Sequence, residues 1–306
     1  MLGPWNGGGK LWGCDAGPGF ELLDAEVGLH DIIENARRRI IAAPKRGPAM
    51  LEARAGRGVL LPGDPPWPEG VRGLARPPLA LYWLGRGSLW PLLVKRRAVA
   101  VVGTRRPSLH GLTMARRLGA SLADAGWPVV SGLAEGIDGA AHEGCLERGG
   151  APVGVLGTPL ERSYPRHHAE LQKRVGRQGL LVSEQAPGTS VLAAHFARRN
   201  RLQVALAAAV VVVECPLTSG ALHSAELAWK EELPLWVVPA DAGKASAAGS
   251  NRLLAQGATP LLAPADLIDQ LGPGPLASRV PAAAGMSSDI AGERAAGGRE
   301  VEESGR

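Results

Sequence analysis

The chain has 306 residues, 45% of them hydrophobic, with 34 Lys and Arg against 29 Asp and Glu for a formal net charge of +5. This balance excludes a chain disordered throughout and suits one large domain with appendages, while the arginine-borne positive charge leaves an acidic partner and plain solvated faces equally open. Its cysteines, Cys14, Cys145 and Cys215, lack C-x-x-C spacing, which argues against a zinc knuckle or disulfide scaffold and for buried thiols in a reducing compartment.

Residues 1–55 open glycine-rich and carry one predicted amphipathic helix over 22–41, with Leu23, Val27, Leu29, Ile32, Ile33, Ile40 and Ile41 at roughly helical spacing. No basic start is followed by a signal-like apolar run. The apolar stretch 205–213 falls well short of the ~20 residues a membrane helix needs, so a soluble, cytoplasmic protein without a membrane segment is expected. Residues 56–95 are punctuated by Leu61-Pro62-Gly63-Asp64-Pro65-Pro66-Trp67-Pro68, and the apolar run 79–84 predicts an edge strand leading into the main domain.

From residue 97, short continuous apolar runs alternate with helical patterns. Strands are predicted at 98–102, 129–131, 153–156, 180–183, 210–214, 235–239 and 260–262, and helices at 112–125, 168–175, 221–232 and 250–256. Strands apolar throughout are buried on both faces, so the fold class is α/β, a mostly parallel sheet with helices on both faces. After 271 the chain turns to Gly, Pro, Ala, Ser and Glu without periodicity. This predicts a main domain over 56–271 and a disordered tail over 272–306.

In such sheets ligands bind beyond the carboxyl ends of the strands, so the turns there are the candidate site. The first, Val101-Val102-Gly103-Thr104-Arg105-Arg106-Pro107-Ser108, joins a close-approach glycine to forked donors and a helix start, which suits a phosphate; an ordinary turn with exposed arginines is the plainer reading. The second, Ser131-Gly132-Leu133-Ala134-Glu135-Gly136-Ile137-Asp138, offers two glycines and a candidate helix cap at Asp138. Asp138 and His142 lack a third ligand with motif spacing, so no metal is expected. The third, His195-Phe196-Ala197-Arg198-Arg199-Asn200-Arg201, interleaves basic groups with a ring, as single-stranded nucleic acid asks, although a basic helix start with a core phenylalanine reads the same. The fourth, Glu214-Cys215-Pro216-Leu217-Thr218-Ser219-Gly220, opens another helix into the same crevice.

A dinucleotide cofactor is not expected, because the first turn lacks G-x-G-x-x-G and the second strand ends in Ser131 instead of a ribose-binding carboxylate. A hydrolase is not specified either, for want of a G-x-S-x-G elbow or triad spacing.

Taken together, Val102-Gly103-Thr104-Arg105, Ser131 through Asp138 with Ala141-His142, Tyr164-Pro165, Ser183-Glu184, Phe196 through Arg201, Val213-Glu214, Ser219-Gly220-Ala221-Leu222 with Ala225, and Gly249-Ser250-Asn251 with Gly257-Ala258 resemble the DprA/Smf family of DNA-processing proteins. The resemblance covers roughly residues 56–270. It implies an extended Rossmann-like domain that binds single-stranded DNA in a basic pocket, dimerises, and loads RecA recombinase during natural transformation, with no catalysis and no cofactor. Carried over by position, Gly103, Arg105, Arg106, Arg199, Asn200 and Arg201 would meet phosphates and Phe196 would stack on a base. Ser131, Gly132, Ser219 and Gly220 would complete the pocket at close quarters. The sequence departs from the family at Ala197 and Ala240, where proline and glycine are usual, and no winged-helix pattern follows. The rival reading is a nucleotide-processing enzyme of phosphoribohydrolase type with Glu135 or Asp138 as acid/base. The stretch Phe196-Ala197-Arg198-Arg199-Asn200-Arg201, suited to a polymer, argues against it.

Overall fold

The structure, a computed structural model, describes residues 56–241 and 243–277. The predicted helix at 22–41 and the expected tail beyond 277 lie outside the described residues. Strand β1 (Gly56–Leu60) passes through the proline-rich loop and α1 (Glu69–Arg72) to β2 (Leu81–Gly85), and α2 (Trp90–Val94) leads into β3 (Val99–Val102). Helices and strands then alternate: α3 (Leu109–Asp124), β4 (Val129–Ser131), α4 (Ile137–Glu147), β5 (Pro152–Leu156), α5 (Ala169–Gln178) and β6 (Leu180–Ser183). There follow α6 (Ala193–Ala205), β7 (Ala209–Val212), α7 (Gly220–Lys230), β8 (Leu235–Val237), α8 (Ala248–Ala255), β9 (Thr259–Pro260) and α9 (Pro264–Leu271).

The described residues form one nine-stranded sheet in the order β1-β2-β6-β5-β4-β3-β7-β8-β9. Pairing is parallel from β6 to β9, with Val99 beside both Val129 and Ala209, and antiparallel for β1 with β2 and β2 with β6. Every residue of β3, β4, β5, β6, β7 and β8 is buried, as their unbroken apolar runs require. Because strand side chains alternate, Ala100, Val102, Val210 and Val212 pack on the face carrying α2, α6, α7 and α8, whereas Val99, Val101 and Val211 meet α3, α4 and α9. The α/β class with helices on both faces is therefore the observed one.

Several elements differ from expectation. The run 79–84 yields β2, but β2 is interior, flanked by β1 and β6, and the edge is β1. Its sequence, Gly-Arg-Gly-Val-Leu, hides a strand because the apolar cover over its glycines comes from the Trp83 indole of β2. Helix α4 carries no amphipathic stripe because most of its positions, from Ile137 to Leu146, are buried. It packs on α3 through a paired close approach: a methyl on Gly119 would overlap the Ala141 carbonyl, and one on Gly144 the Arg116 carbonyl. Hydrogen bonds to the domain run on past the boundary expected at 271, with Trp127 Nε1 donating to the Gly272 carbonyl at 2.9 Å and Leu276 N to that of Gly126 at 3.0 Å. Cys145 and Cys215 are buried free thiols. Among the described residues no helix is long and apolar enough to cross a membrane.

Candidate nucleic-acid interface

The chain leaves β3 toward β4, β5 and β6, then crosses back through α6 to place β7 on the other side of β3. Strand order reverses there, and the turns beyond β3 and β7 part to leave a cavity of about 500 Å³.

The first turn is held open by one carboxylate. Glu214, 2% exposed at the end of β7, accepts from Ser108 Oγ at 2.7 Å and from Ser108 N at 3.1 Å, while its own carbonyl accepts from Thr104 N at 2.7 Å. Ser108 in turn caps α3, its Oγ accepting from Gly111 N at 3.2 Å. Anchored at both ends, the turn presents Gly103, Thr104, Arg105 and Arg106 to the cavity, with both arginines exposed. The Arg105 guanidinium lies 5.7 Å from the centroid of the Phe196 ring, within cation–π range.

Arg199 forms the floor. It is 4% exposed, its Nη1 donates to the Val155 carbonyl and its Nε to Asn200 Oδ1 at 3.2 Å. A methyl on Gly132 would overlap its guanidinium, so this buried cation needs glycine there. The counter-charge is Asp138, 6% exposed, whose carboxylate accepts from Gly132 N at 3.1 Å. Burial raises the Asp138 carboxyl above its ordinary range, against the lowering pull of Arg199; burial likewise lowers the Arg199 guanidinium, against the pull of Asp138. Asp138 is not the helix cap expected of it, because Gly136, with φ 77°, occupies that position on α4. His142, one turn on, does not pair with Asp138 either. Its Nε2 lies 3.3 Å from the Val153 carbonyl, and burial pushes its pKa down to about 4.

The far wall is the start of α7, where Ser219 caps the helix by accepting from Ala221 N at 3.2 Å, and Asn200 Nδ2 donates to the Gly220 carbonyl at 3.3 Å. Phe196 stands at the mouth against Tyr164, ring centroids 4.7 Å apart and planes at 47°.

Of the residues singled out in the sequence, Gly103, Arg105, Arg106, Phe196, Arg199, Asn200, Ser219 and Gly220 line the cavity. Ser131 and Gly132 lie beneath it, Ser131 fully buried with its Oγ donating to the Val101 carbonyl at 2.7 Å. Arg201 does not join them. Two positions from Arg199, it lies some 200° round the helix, and its Nη2 sits 2.5 Å from buried Glu184 on the other side of α6. Sequence reasoning did not single out Tyr164, Thr104, Gln203 or Thr218 as site residues; Tyr164, Thr104 and Thr218 stood within quoted motifs or turns, and Gln203 carried no signal. The described residues hold no cluster of three metal-ligating side chains.

This arrangement offers an anion two exposed guanidinium groups and the positive end of a helix dipole at the start of α7, and offers a flat ring a paired aromatic surface. Known proteins share the frame. A protein Smf from Synechocystis is 36% identical over 217 residues, which cover 71% of this chain and 54% of that one. The chain thus spans little more than half the length of that relative. Among solved structures, DNA processing protein A from Streptococcus pneumoniae matches with TM-score 0.65 and 31% identity over 70% of this chain and 74% of its own. DNA processing protein A from Helicobacter pylori, described for its unique single-stranded DNA binding mode, matches with TM-score 0.62 and 29% identity over 72% of this chain and 98% of its own. The family model for DNA recombination-mediator protein A matches residues 58–272, from β1 through α9, which takes in every turn of the crevice, and the chain belongs to that family.

Proposed function

We propose that the crevice binds single-stranded DNA, with phosphates at the turn 103–108 and the start of α7 and a base on the Phe196 and Tyr164 rings. On this reading the protein acts in the cytoplasm as a homodimer that protects incoming DNA and passes it to RecA recombinase in natural transformation and recombination, and is not an enzyme. The observation that carries the proposal is Arg105 poised over Phe196, itself against Tyr164, at the mouth of a cavity walled by the start of α7. Charge tracks a phosphate backbone and rings accept any unpaired base, whereas a duplex keeps its bases stacked out of reach of Phe196. The binding mode described for the Helicobacter pylori relative supports the same polymer.

Two features support binding over phosphoribohydrolase chemistry. Asp138 is committed to Gly132 N and balances buried Arg199, and Glu135 lies outside the cavity, its carboxylate 3.0 Å from His167 Nε2. Fluorescence anisotropy with a labelled oligonucleotide is the test. The single strand should bind more tightly than the duplex, and Phe196→Ala should weaken single-strand binding by about tenfold, the worth of one stacked base. Equal affinity for both forms, or an unaffected variant, overturns the proposal. Faster assembly of RecA filaments on the same strand, lost in the variant, is the expected result for the hand-off.

A further inference from the structure

On the other side of α6 from Phe196 and Arg199 lies a second cavity of about 690 Å³, between the loop 73–77, α6 and α7. Its apolar lining is aliphatic, including Leu74, Ala194, Ala197 and Leu227, and the one ring of the lining is the exposed imidazole of His223, whose Nδ1 lies 3.8 Å from Glu226 Oε2. Its charged lining is lopsided. Arg198 and Arg201 share one buried carboxylate, Glu184, at 3.5 and 2.5 Å, which leaves one positive charge over. Exposed Arg76 and Lys230 have no ion pair among the described residues. The acidic residue of the lining, Glu231, is taken by Arg96 at 2.7 Å. The cavity therefore combines about three uncompensated positive charges with an aliphatic floor, in a volume that takes a short peptide stretch.

We infer that this groove docks an acidic, leucine-bearing peptide segment of a partner protein. Carboxylates meet Arg76, Arg198 and Lys230 at the rim, while aliphatic side chains enter between Leu74 and Leu227. A nucleic acid would find charge here over an aliphatic floor, with only the exposed His223 beside the Glu226 carboxylate as a ring, and not a paired aromatic platform like Phe196 with Tyr164, which favours the peptide. The site is separate from the crevice proposed for DNA, so the two can be occupied together and can fail separately.

The probe is a fluorescein-labelled dodecapeptide alternating Asp with Leu and Phe, beside the same peptide with Lys in place of Asp, titrated against the full chain. The acidic peptide is expected to bind saturably, the basic one not at all, and the double variant Arg76→Glu, Lys230→Glu is expected to lose about tenfold or more in affinity for the acidic peptide. Single-stranded DNA binding by that variant, which also reports its folding, should stay unchanged, and saturating DNA should not displace the peptide. Failure of the acidic peptide to bind, or equal binding to wild type and the folded variant, overturns the inference. Loss of DNA binding in a folded variant, or competition between DNA and peptide, also overturns it by assigning the groove to the DNA path.

Discussion

Arg199 shows how far one side chain's surroundings can redirect its chemistry. The stretch from Phe196 to Arg201 announces both charge and an aromatic, and these residue types were legible; which of them reach the crevice was not, because facing depends on where α6 packs. Arg199 is a buried floor and Arg201 a strut to Glu184, so the exposed guanidinium groups of the crevice, and on the DNA-binding proposal its phosphate donors, are Arg105 and Arg106. Replacing Arg105 by alanine should therefore reduce the slope of log affinity against log salt by about 0.7, one phosphate contact to a single strand, whereas Arg201→Ala should leave that slope unchanged. Salt titrations of the two variants check this. Arg199→Met removes the charge that offsets buried Asp138 and should cost about 3 kcal/mol of stability, read by denaturant unfolding; a variant as stable as wild type would show that Asp138 finds its compensation elsewhere. Tyr164 escaped notice as a stacking surface because nothing in a one-dimensional string says that the loop after β5 meets the start of α6.

At the level of helices and strands, legibility followed burial. The strands from β3 to β8 were readable because both faces are covered, so their composition is apolar but for the terminal Ser131 and Ser183. Helix α4 was not, since an element buried nearly all round has no polar face to set a period. Gly119 and Gly144 let α3 and α4 approach until backbone touches backbone. Gly144→Val inserts two methyls and a methine against the Arg116 carbonyl and should destabilise the protein by about 2 kcal/mol or more, lowering its melting temperature in a circular-dichroism scan. The same substitution at Gly149, where nothing lies within 4 Å of an added Cβ, meets no such neighbour, although its φ of 67° makes any side chain there carry backbone strain.

For the molecule as a whole, the same interior sets a response to acid. An unfolded chain protonates histidine near pH 6.5, whereas His142 in the folded protein protonates only near pH 4. Between those values the unfolded state binds more protons, so this contribution is fully present above about pH 6.5 and is lost as the pH falls to about 4, by up to about 3 kcal/mol. Asp138, raised by burial, acts in the opposite sense, so the measurement is the difference between wild type and His142→Gln across that range. A pH dependence unchanged in the variant would show that the acid response arises elsewhere.

The bracket that Glu214 makes between the turn after β3 and the end of β7 bears finally on rates. Tied across the reversal of strand order through Ser108 and Thr104, the mouth of the crevice is already shaped before anything enters. On the DNA-binding proposal, the strand then carries most of the ordering cost, and capture should follow single-exponential stopped-flow kinetics that rise linearly with concentration. Weakened variants would then differ chiefly in how soon they let go.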